Sequence, residues 1–235
     1  MHDFFAALRG TRDAYTAWGI FTDFFQSRNV KALCAVQEAP MGSSFDSDRF
    51  VGTMGFPREF VADYRDGLYQ DDPARQHALT AVAPFFLSGT REILALSDRE
   101  KAFLDRFEQL GIEEWLCIPV FGPYGQNGYC GLATRHEAQM SDAEVHELHI
   151  AAQMGFLHYC KLQLSSRAAP VSLSRREREI LEWVARGKSN AAIADILKIS
   201  TNTVDTHLRR AFDKLDVSDR TVATVRAIGL GLIAP

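Results

Sequence analysis

Hydrophobic positions in the last third of the chain recur at the three- and four-residue spacing of amphipathic helices. This pattern predicts four short helices, each preceded by a serine that can accept a hydrogen bond from the first turn. The capping serines are Ser174, Ser189, Ser200 and Ser218. Four closely spaced helices of this kind predict a small all-α bundle.

The first 160 residues mix helical and strand periods. Helical spacing is found at 3–28, after Pro57, after Asp72-Pro73, at 97–111 and at 141–164. Alternating or apolar runs predict strands at 31–39, 50–56, 113–122 and 128–136, with a turn at 123–128 joining the last two. Strands joined by hairpins and flanked by helices predict an α/β fold, an α-β-α sandwich with an antiparallel sheet.

A linker is predicted where small and polar residues surround Pro170. The domains are therefore predicted as 1–164, a linker at 165–172, and 173–235. Residues 1–172 hold 15 basic against 22 acidic residues, whereas residues 173–235 hold 11 against 8. An acidic body followed by a basic C-terminal part suggests that the C-terminal part approaches nucleic acid.

Composition excludes several classes of protein. No apolar run approaches the ~20 residues of a membrane span, and the N-terminal stretch lacks the basic start of a secretory signal. The four cysteines form no CxxC pair and no metal-ligand spacing, which indicates buried thiols in a reducing compartment. Because no nucleophile–base pair is visible either, we expect a cytoplasmic protein with no enzyme activity, cofactor or metal.

The second and third C-terminal helices are joined by a short turn, the pattern of a helix-turn-helix. The outer face of the third helix carries polar side chains that suit bases and phosphates: Asn202, Thr203, Asp205, Thr206, Arg209 and Arg210. Arg209 can place two donors on guanine, while the threonines and Arg210 suit phosphates. From spacing alone, a helical hairpin with a solvated charged face remains an alternative.

The same segment resembles the LuxR-type helix-turn-helix over its whole length. The resemblance is carried by Glu177, Leu181, Gly187, Ile193, Ala194, Thr203, Val204, His207, Leu215 and Val217. It implies that residues 203–210 enter the major groove and that the protein binds a two-fold operator as a homodimer. Asp205 departs from the lysine or arginine common in the family. It could accept from a cytosine amine, pair with Arg209, or simply weaken DNA binding.

Residues 56–119 resemble the autoinducer-binding domain of quorum-sensing LuxR-type receptors. The matching positions include Pro57, Tyr64, Asp72, Pro73, Phe103, Gly111 and Pro119. A response-regulator receiver domain, which can precede the same helix-turn-helix, is not indicated, because its acidic pair, phosphoacceptor aspartate and late lysine are not visible. The resemblance implies a buried pocket for an N-acyl homoserine lactone.

The resemblance also implies which positions line that pocket. Asp72 corresponds to the aspartate that accepts the ligand's amide N–H, and Tyr64 to the tyrosine packed over it. Four positions depart from the family: Phe56 replaces a tyrosine, Phe60 and Leu87 replace tryptophans, and Trp115 replaces a glycine.

These departures change the chemistry of the predicted pocket. Neither phenylalanine can donate to a lactone carbonyl, and leaving that carbonyl unsatisfied costs about 1–3 kcal/mol. Trp115 should shrink the pocket, although its N–H could replace the lost donor. As alternatives, Asp72 only caps a helix and the aromatic residues only form core.

The sequence therefore predicts a ligand-responsive, DNA-binding transcriptional regulator of the LuxR quorum-sensing type. The expected signal is an N-acyl homoserine lactone or a related small apolar molecule. Two alternatives remain open: a ligand-independent regulator with a self-filled pocket, and one that responds to a non-lactone signal or a protein partner.

Overall fold

The computed structural model describes residues 1–38, 50–78, 80–91, 96–112, 114–123, 126–136, 139–166 and 171–234. The described residues form two compact units, one made of 1–38, 50–122 and 127–166 and the other mainly of 171–234. Residues 167–170 of the predicted linker and residues 124–125 of the predicted hairpin turn lie outside the described residues.

The N-terminal unit contains seven described helices, a 3₁₀ turn and five described strands. In chain order these are α1 (His2–Gly10), α2 (Ala14–Gln26), β1 (Leu33–Gln37), β2 (Phe50–Met54), α3 (Arg58–Arg65), the 3₁₀ turn (Leu68–Asp71), α4 (Pro73–Ala78), β3 (Phe85–Phe86), α5 (Leu87–Arg91), α6 (Asp98–Gln109), β4 (Glu114–Val120), β5 (Gly128–Thr134) and α7 (Asp142–Ser166). Among the described helices, none combines the length and apolar composition of a membrane span.

The five strands form one sheet in the order β2-β1-β5-β4-β3, and every neighbouring pair is antiparallel. Helices α1, α2 and α7 share a hydrophobic core with one face of the sheet. Helices α3, α4 and α6 share a second core with the other face. Because strand side chains alternate between faces, Tyr129 and Gly131 of β5 face the second core, whereas Cys130 faces the first. The predicted α-β-α sandwich with an antiparallel sheet is confirmed.

Two local features of the N-terminal unit differ from prediction. The helical stretch predicted at 3–28 is divided into α1 and α2. The break follows Thr11, whose hydroxyl is 2.7 Å from His158 Nε2 on α7, and α2 then begins at its cap, Asp13. Strand β3 and helix α5 were not predicted, because a two-residue strand is too short to show a period.

The C-terminal unit is a bundle of α8 (Arg175–Ala185), α9 (Asn190–Leu197), α10 (Thr201–Leu215) and α11 (Arg220–Gly229). Ser174, Ser189 and Ser200 cap the first three helices as predicted. The fourth cap was predicted wrongly. Asp219 caps α11, since its carboxylate accepts from the backbone N–H groups of Thr221 and Val222, and an ionised acceptor suits a helix N-terminus.

Candidate functional site

A small cavity lies between the sheet and the helices of the second core. The volume open to the centre of a water molecule is about 20 Å³. The cavity is lined by Cys34, Thr53, Phe56, Phe60, Val61, Tyr64, Asp72, Phe107 and Trp115. Five of the six predicted ligand-binding residues are therefore brought together at one cavity, and the sixth, Leu87, is not among the lining residues.

Leu87 begins α5 and is buried in the same core as the cavity walls. Leu87 is therefore part of the core around the cavity, but it does not line the cavity itself. Four lining residues, Cys34, Thr53, Val61 and Phe107, were not predicted as site residues. Strand alternation in β1 could have pointed to Cys34, but nothing local distinguishes Phe107 from ordinary core.

The two carboxylate oxygens of Asp72 serve different parts of the site. Oδ1 accepts from the backbone N–H groups of Ala74 (3.0 Å) and Arg75 (3.3 Å), so it caps α4. Oδ2 accepts from the hydroxyl of Tyr64 (2.7 Å) and from that of Tyr129 (2.9 Å). The capping alternative is therefore correct for one oxygen only, because the other lies at the polar end of the cavity.

Tyr129 is a hydrogen-bond partner of Asp72 that the sequence did not reveal, although it does not itself line the cavity. Its hydroxyl oxygen also lies 2.7 Å from that of Tyr64. Its place on a buried strand between small residues gave it the pattern of ordinary core. The contact with Asp72 joins residues 57 positions apart, so only the tertiary fold shows it.

Burial shifts the pKa values of Asp72, Tyr64 and Tyr129. Loss of hydration raises the pKa of the Asp72 carboxyl, and hydrogen bonds from the two tyrosine hydroxyls and two backbone N–H groups oppose that rise. Burial, followed by the charge of Asp72, raises the pKa of Tyr64 and of Tyr129 well above the ordinary value. Both hydroxyls therefore stay protonated and act as donors to the carboxylate.

The opposite end of the cavity is aromatic. Phe56 stacks on Phe60 with ring centroids 5.4 Å apart, and Phe107 meets Trp115 edge to face at 4.9 Å. Burial raises the pKa of the Cys117 thiol well above its ordinary value, and a hydrogen bond with the Trp115 indole opposes that rise. Offset and edge-to-face packing of this kind fills space that the family resemblance assigned to a ligand.

Gly131 leaves the space that the Trp115 ring occupies at the aromatic end of the cavity. A Cβ atom on Gly131 would come within 2.3 Å of Cζ2 of the Trp115 ring. The two residues lie on neighbouring strands and share one face of the sheet. A glycine on β5 thus makes room for the tryptophan that replaces a family glycine on β4.

In the C-terminal unit, α9 and α10 form the predicted helix-turn-helix, with Lys198 in the left-handed conformation between them (φ 53°). Four of the predicted DNA-binding side chains are exposed on α10: Asn202, Thr206, Arg209 and Arg210. Thr203 is half-buried, and its hydroxyl lies 2.8 Å from that of the capping Ser200.

Asp205 has a partner that the sequence did not predict. Its Oδ1 accepts a short hydrogen bond from the side-chain amide of Asn190, the first residue of α9. Among the ion pairs of the described residues, none joins Asp205 to Arg209. Asp205 therefore links the two helices of the motif, because its partner lies on the preceding helix.

Both halves of the chain match known families. Residues 13–160 match the family described as "Autoinducer binding domain". Residues 171–227 match "Bacterial regulatory proteins, luxR family". The chain therefore belongs to the LuxR-type regulators that carry an autoinducer-binding domain, and these proteins are transcriptional regulators rather than enzymes.

Several curated relatives support this assignment. The quorum sensing-dependent transcriptional regulator RpaR of Rhodopseudomonas palustris is 30% identical over 183 residues, which cover 76% of this chain and 73% of RpaR. The transcriptional activator TraR of Agrobacterium vitis is 31% identical over 165 residues, which cover 69% of this chain and 70% of TraR. Y4qH of Sinorhizobium fredii is 32% identical over 162 residues, and the chain spans 50% of its length.

A solved structure shares the fold. Escherichia coli SdiA aligns with a TM-score of 0.75 at 19% identity, covering 98% of this chain and 96% of SdiA. At this level of identity, the likeness supports the architecture and leaves the ligand of this chain to be argued from its own residues.

The close contact between Gly131 and Trp115 can be tested by substituting both residues. Gly131→Ala should lower the free energy of unfolding by about 1–3 kcal/mol, because the buried ring cannot move out of the way of a new Cβ. In a background of Trp115→Leu, the same change should cost little, and urea unfolding of the four proteins measures the coupling. Gly89→Ala is the control, since nothing lies within 4 Å of a Cβ placed there. Additive losses would contradict the contact.

The link from Asp205 to α9 predicts two effects of Asp205→Ala. Loss of the acceptor should destabilise the protein by about 1 kcal/mol, and Asn190→Ala should add little to that loss. Binding to an operator library at fixed salt should show a relaxed preference at one base pair, because α10 is then less firmly held. A uniform gain in affinity for all sequences would instead show that Asp205 only repels phosphates.

Proposed function

We propose that this chain is a transcriptional regulator that binds DNA as a homodimer, and that its N-terminal domain responds to a small molecule held in the Asp72 cavity. The observation that carries the proposal is the cavity itself. A buried carboxylate and aromatic walls meet at one site within the domain that matches the autoinducer-binding family. Buried charge and aromatic lining beside an apolar core are typical of ligand sites.

The identity of the signal is a separate question. The resemblance implies an N-acyl homoserine lactone, and Tyr64, Asp72 and Pro73 are the family residues that favour it. Two features weigh against a long-chain lactone. The open volume of about 20 Å³ is about enough for one water molecule. In addition, Phe56 and Phe60 offer no donor to a lactone carbonyl. A compact signal agrees better with this site.

A ligand-independent regulator is the second candidate. It is favoured by Asp72, whose two oxygens already accept four hydrogen bonds from the protein. A carboxylate satisfied in this way, with aromatic rings filling the rest of the cavity, lets the domain fold without a signal. The two candidates differ in whether an added molecule stabilises the protein.

The DNA-binding part of the proposal rests on α10. Its exposed face carries Arg209 and Arg210, which can reach guanine edges and phosphates when α10 lies in the major groove. A helix-turn-helix dimer places two such helices about 34 Å apart on one face of the duplex. The proposal therefore requires an operator with two-fold symmetry.

An exposed apolar stripe on α7 supports a homodimer. Ile150, Met154 and Leu157 lie on one face of the helix and are 50%, 43% and 38% exposed. Phe121 is 42% exposed, and its backbone N–H and C=O are both held by the side chain of Gln153 on the same helix. A patch of this kind on a soluble domain is typical of a protein interface, and a second copy of this chain is the partner that a two-fold operator needs.

The dimer is tested by a charge in the α7 stripe. Met154→Glu should turn the dimer into a monomer at micromolar concentration, because a carboxylate would be buried without a partner. Sedimentation measures the state, and operator affinity should fall with it. The control is Val82→Glu, an 82% exposed residue away from α7. A Met154→Glu protein that remains a dimer would exclude this surface as the interface.

The ligand response is tested at Asp72. An organic extract of a culture of the protein's own host should raise the melting temperature of the wild type, because a ligand that binds only the folded state stabilises it. Asp72→Asn should weaken the response roughly tenfold to a hundredfold in ligand concentration, since an ionised acceptor is worth about 1.5–3 kcal/mol. Equal responses in both proteins would leave Asp72 as a structural cap. No response in either, with operator binding intact, would support the ligand-independent candidate.

A further inference from the structure

The polar end of the cavity holds the buried carboxyl group of Asp72. Arg75, the residue whose backbone caps Asp72, directs its guanidinium to Glu38, with Nε and Nη2 each 2.6 Å from a carboxylate oxygen. Within the described residues, no ion pair includes Asp72. Arg75 and Glu38 neutralise each other, so an ionised Asp72 has no cationic partner among the described residues.

Two tyrosine hydroxyls surround one oxygen of Asp72. Asp72 Oδ2 and the hydroxyl oxygens of Tyr64 and Tyr129 form a triangle with edges of 2.7, 2.9 and 2.7 Å. The two hydroxyl hydrogens must serve three oxygen–oxygen contacts. When both point to Asp72, no hydroxyl hydrogen remains for the contact between the two tyrosine oxygens, and Tyr64 is the tyrosine that lines the cavity. This end therefore attracts a group that brings hydrogens and positive charge.

The remaining walls suit a cation rather than a carbonyl. Phe56, Phe60, Phe107 and Trp115 surround the space beyond Asp72. Their ring faces carry negative potential and attract organic cations, most strongly where water is excluded. The three phenylalanines cannot donate, and the Trp115 indole is hydrogen-bonded to the Cys117 thiol. A carbonyl placed here would lose its hydration without gaining a donor.

The different burial of the lining residues indicates how a molecule would be oriented in the cavity. Asp72 and Tyr64 are buried at the inner end, whereas Thr53, Phe56 and Val61 are half-buried. A molecule would therefore place its head group at Asp72 and its apolar part towards the half-buried side. The small open volume favours a head group no larger than an ammonium or methylammonium.

We propose that the signal bound at the Asp72 cavity is a compact amine, held as an ammonium by Asp72 and the hydroxyl oxygen of Tyr64, with its apolar part against Phe56, Phe60 and Trp115. This inference rests on the proposed sensing function and specifies its ligand class. A protonated amine brings both the hydrogens that the oxygen triangle lacks and the positive charge that the carboxylate lacks. A neutral amide brings only a hydrogen.

Matched pairs of probes test the ligand class on the full-length chain. Methylamine is compared with methanol, and isobutylamine with isobutanol, by calorimetric titration and thermal melting at neutral pH. Each pair differs in charge and hardly in size. We expect at least one amine to bind at least tenfold more tightly than its alcohol and to raise the melting temperature. If neither amine binds more tightly than its alcohol, the proposal is wrong.

Variants locate the binding. Asp72→Asn should abolish the preference for the amine over the alcohol. Glu114→Gln should retain the preference, because Glu114 is another buried carboxylate of the same domain and does not line the cavity. Tyr64→Phe keeps Asp72 but removes a hydroxyl that lines the cavity, so it should lower the preference and serves if Asp72→Asn does not fold. An amine preference that survives in folded Asp72→Asn, or is unchanged in Tyr64→Phe, would overturn the assignment.

Hexanoyl homoserine lactone serves as the third probe. If it stabilises the wild type through Asp72 and the amines do not, the sensing function stands and the amine inference fails. If none of the probes and no culture extract stabilises the chain, the sensing function fails as well. The two results separate an error in the ligand class from an error in the function.

Discussion

The N-terminal domain depends on how it satisfies one buried carboxylate. An ionised side chain without water costs several kcal/mol unless hydrogen bonds or opposite charge replace the hydration. Asp72 meets this requirement by capping α4 with one oxygen and by holding hydroxyls from α3 and β5 with the other. Three elements that meet only in the tertiary fold are thereby fixed around the same atoms, and they enclose the cavity.

The sheet separates that cavity from the surface proposed for dimerisation. Tyr129 packs in the core around the cavity and donates to Asp72, whereas the next residue, Cys130, packs in the core shared with α7. Movement of β5 at the ligand side would therefore be felt on the α7 side, because close-packed cores transmit small displacements. Strand β5 alone could therefore couple binding of the signal to the proposed dimer surface on α7. This coupling requires only that a ligand change how Tyr129 and Trp115 pack.

Local signals predicted much of this architecture, and tertiary contacts account for the rest. The serine caps and the strand alternation depend on neighbouring residues, so the sandwich and the bundle could be predicted. The break after Thr11 involves a contact with α7, and the partner of Asp205 lies on the preceding helix. Resemblance identified five of the cavity residues, but the contact between Tyr129 and Asp72 joins distant strands and helices and has no local pattern.

The central claim is that Asp72 binds the head group of a compact signal. Mass spectrometry of the small molecules that copurify with the full-length chain from its own host tests it most directly, with Asp72→Asn purified in parallel. The account predicts a small amine that is present in stoichiometric amount with the wild type and absent from the variant. A long-chain acyl homoserine lactone retained equally by both proteins would contradict it.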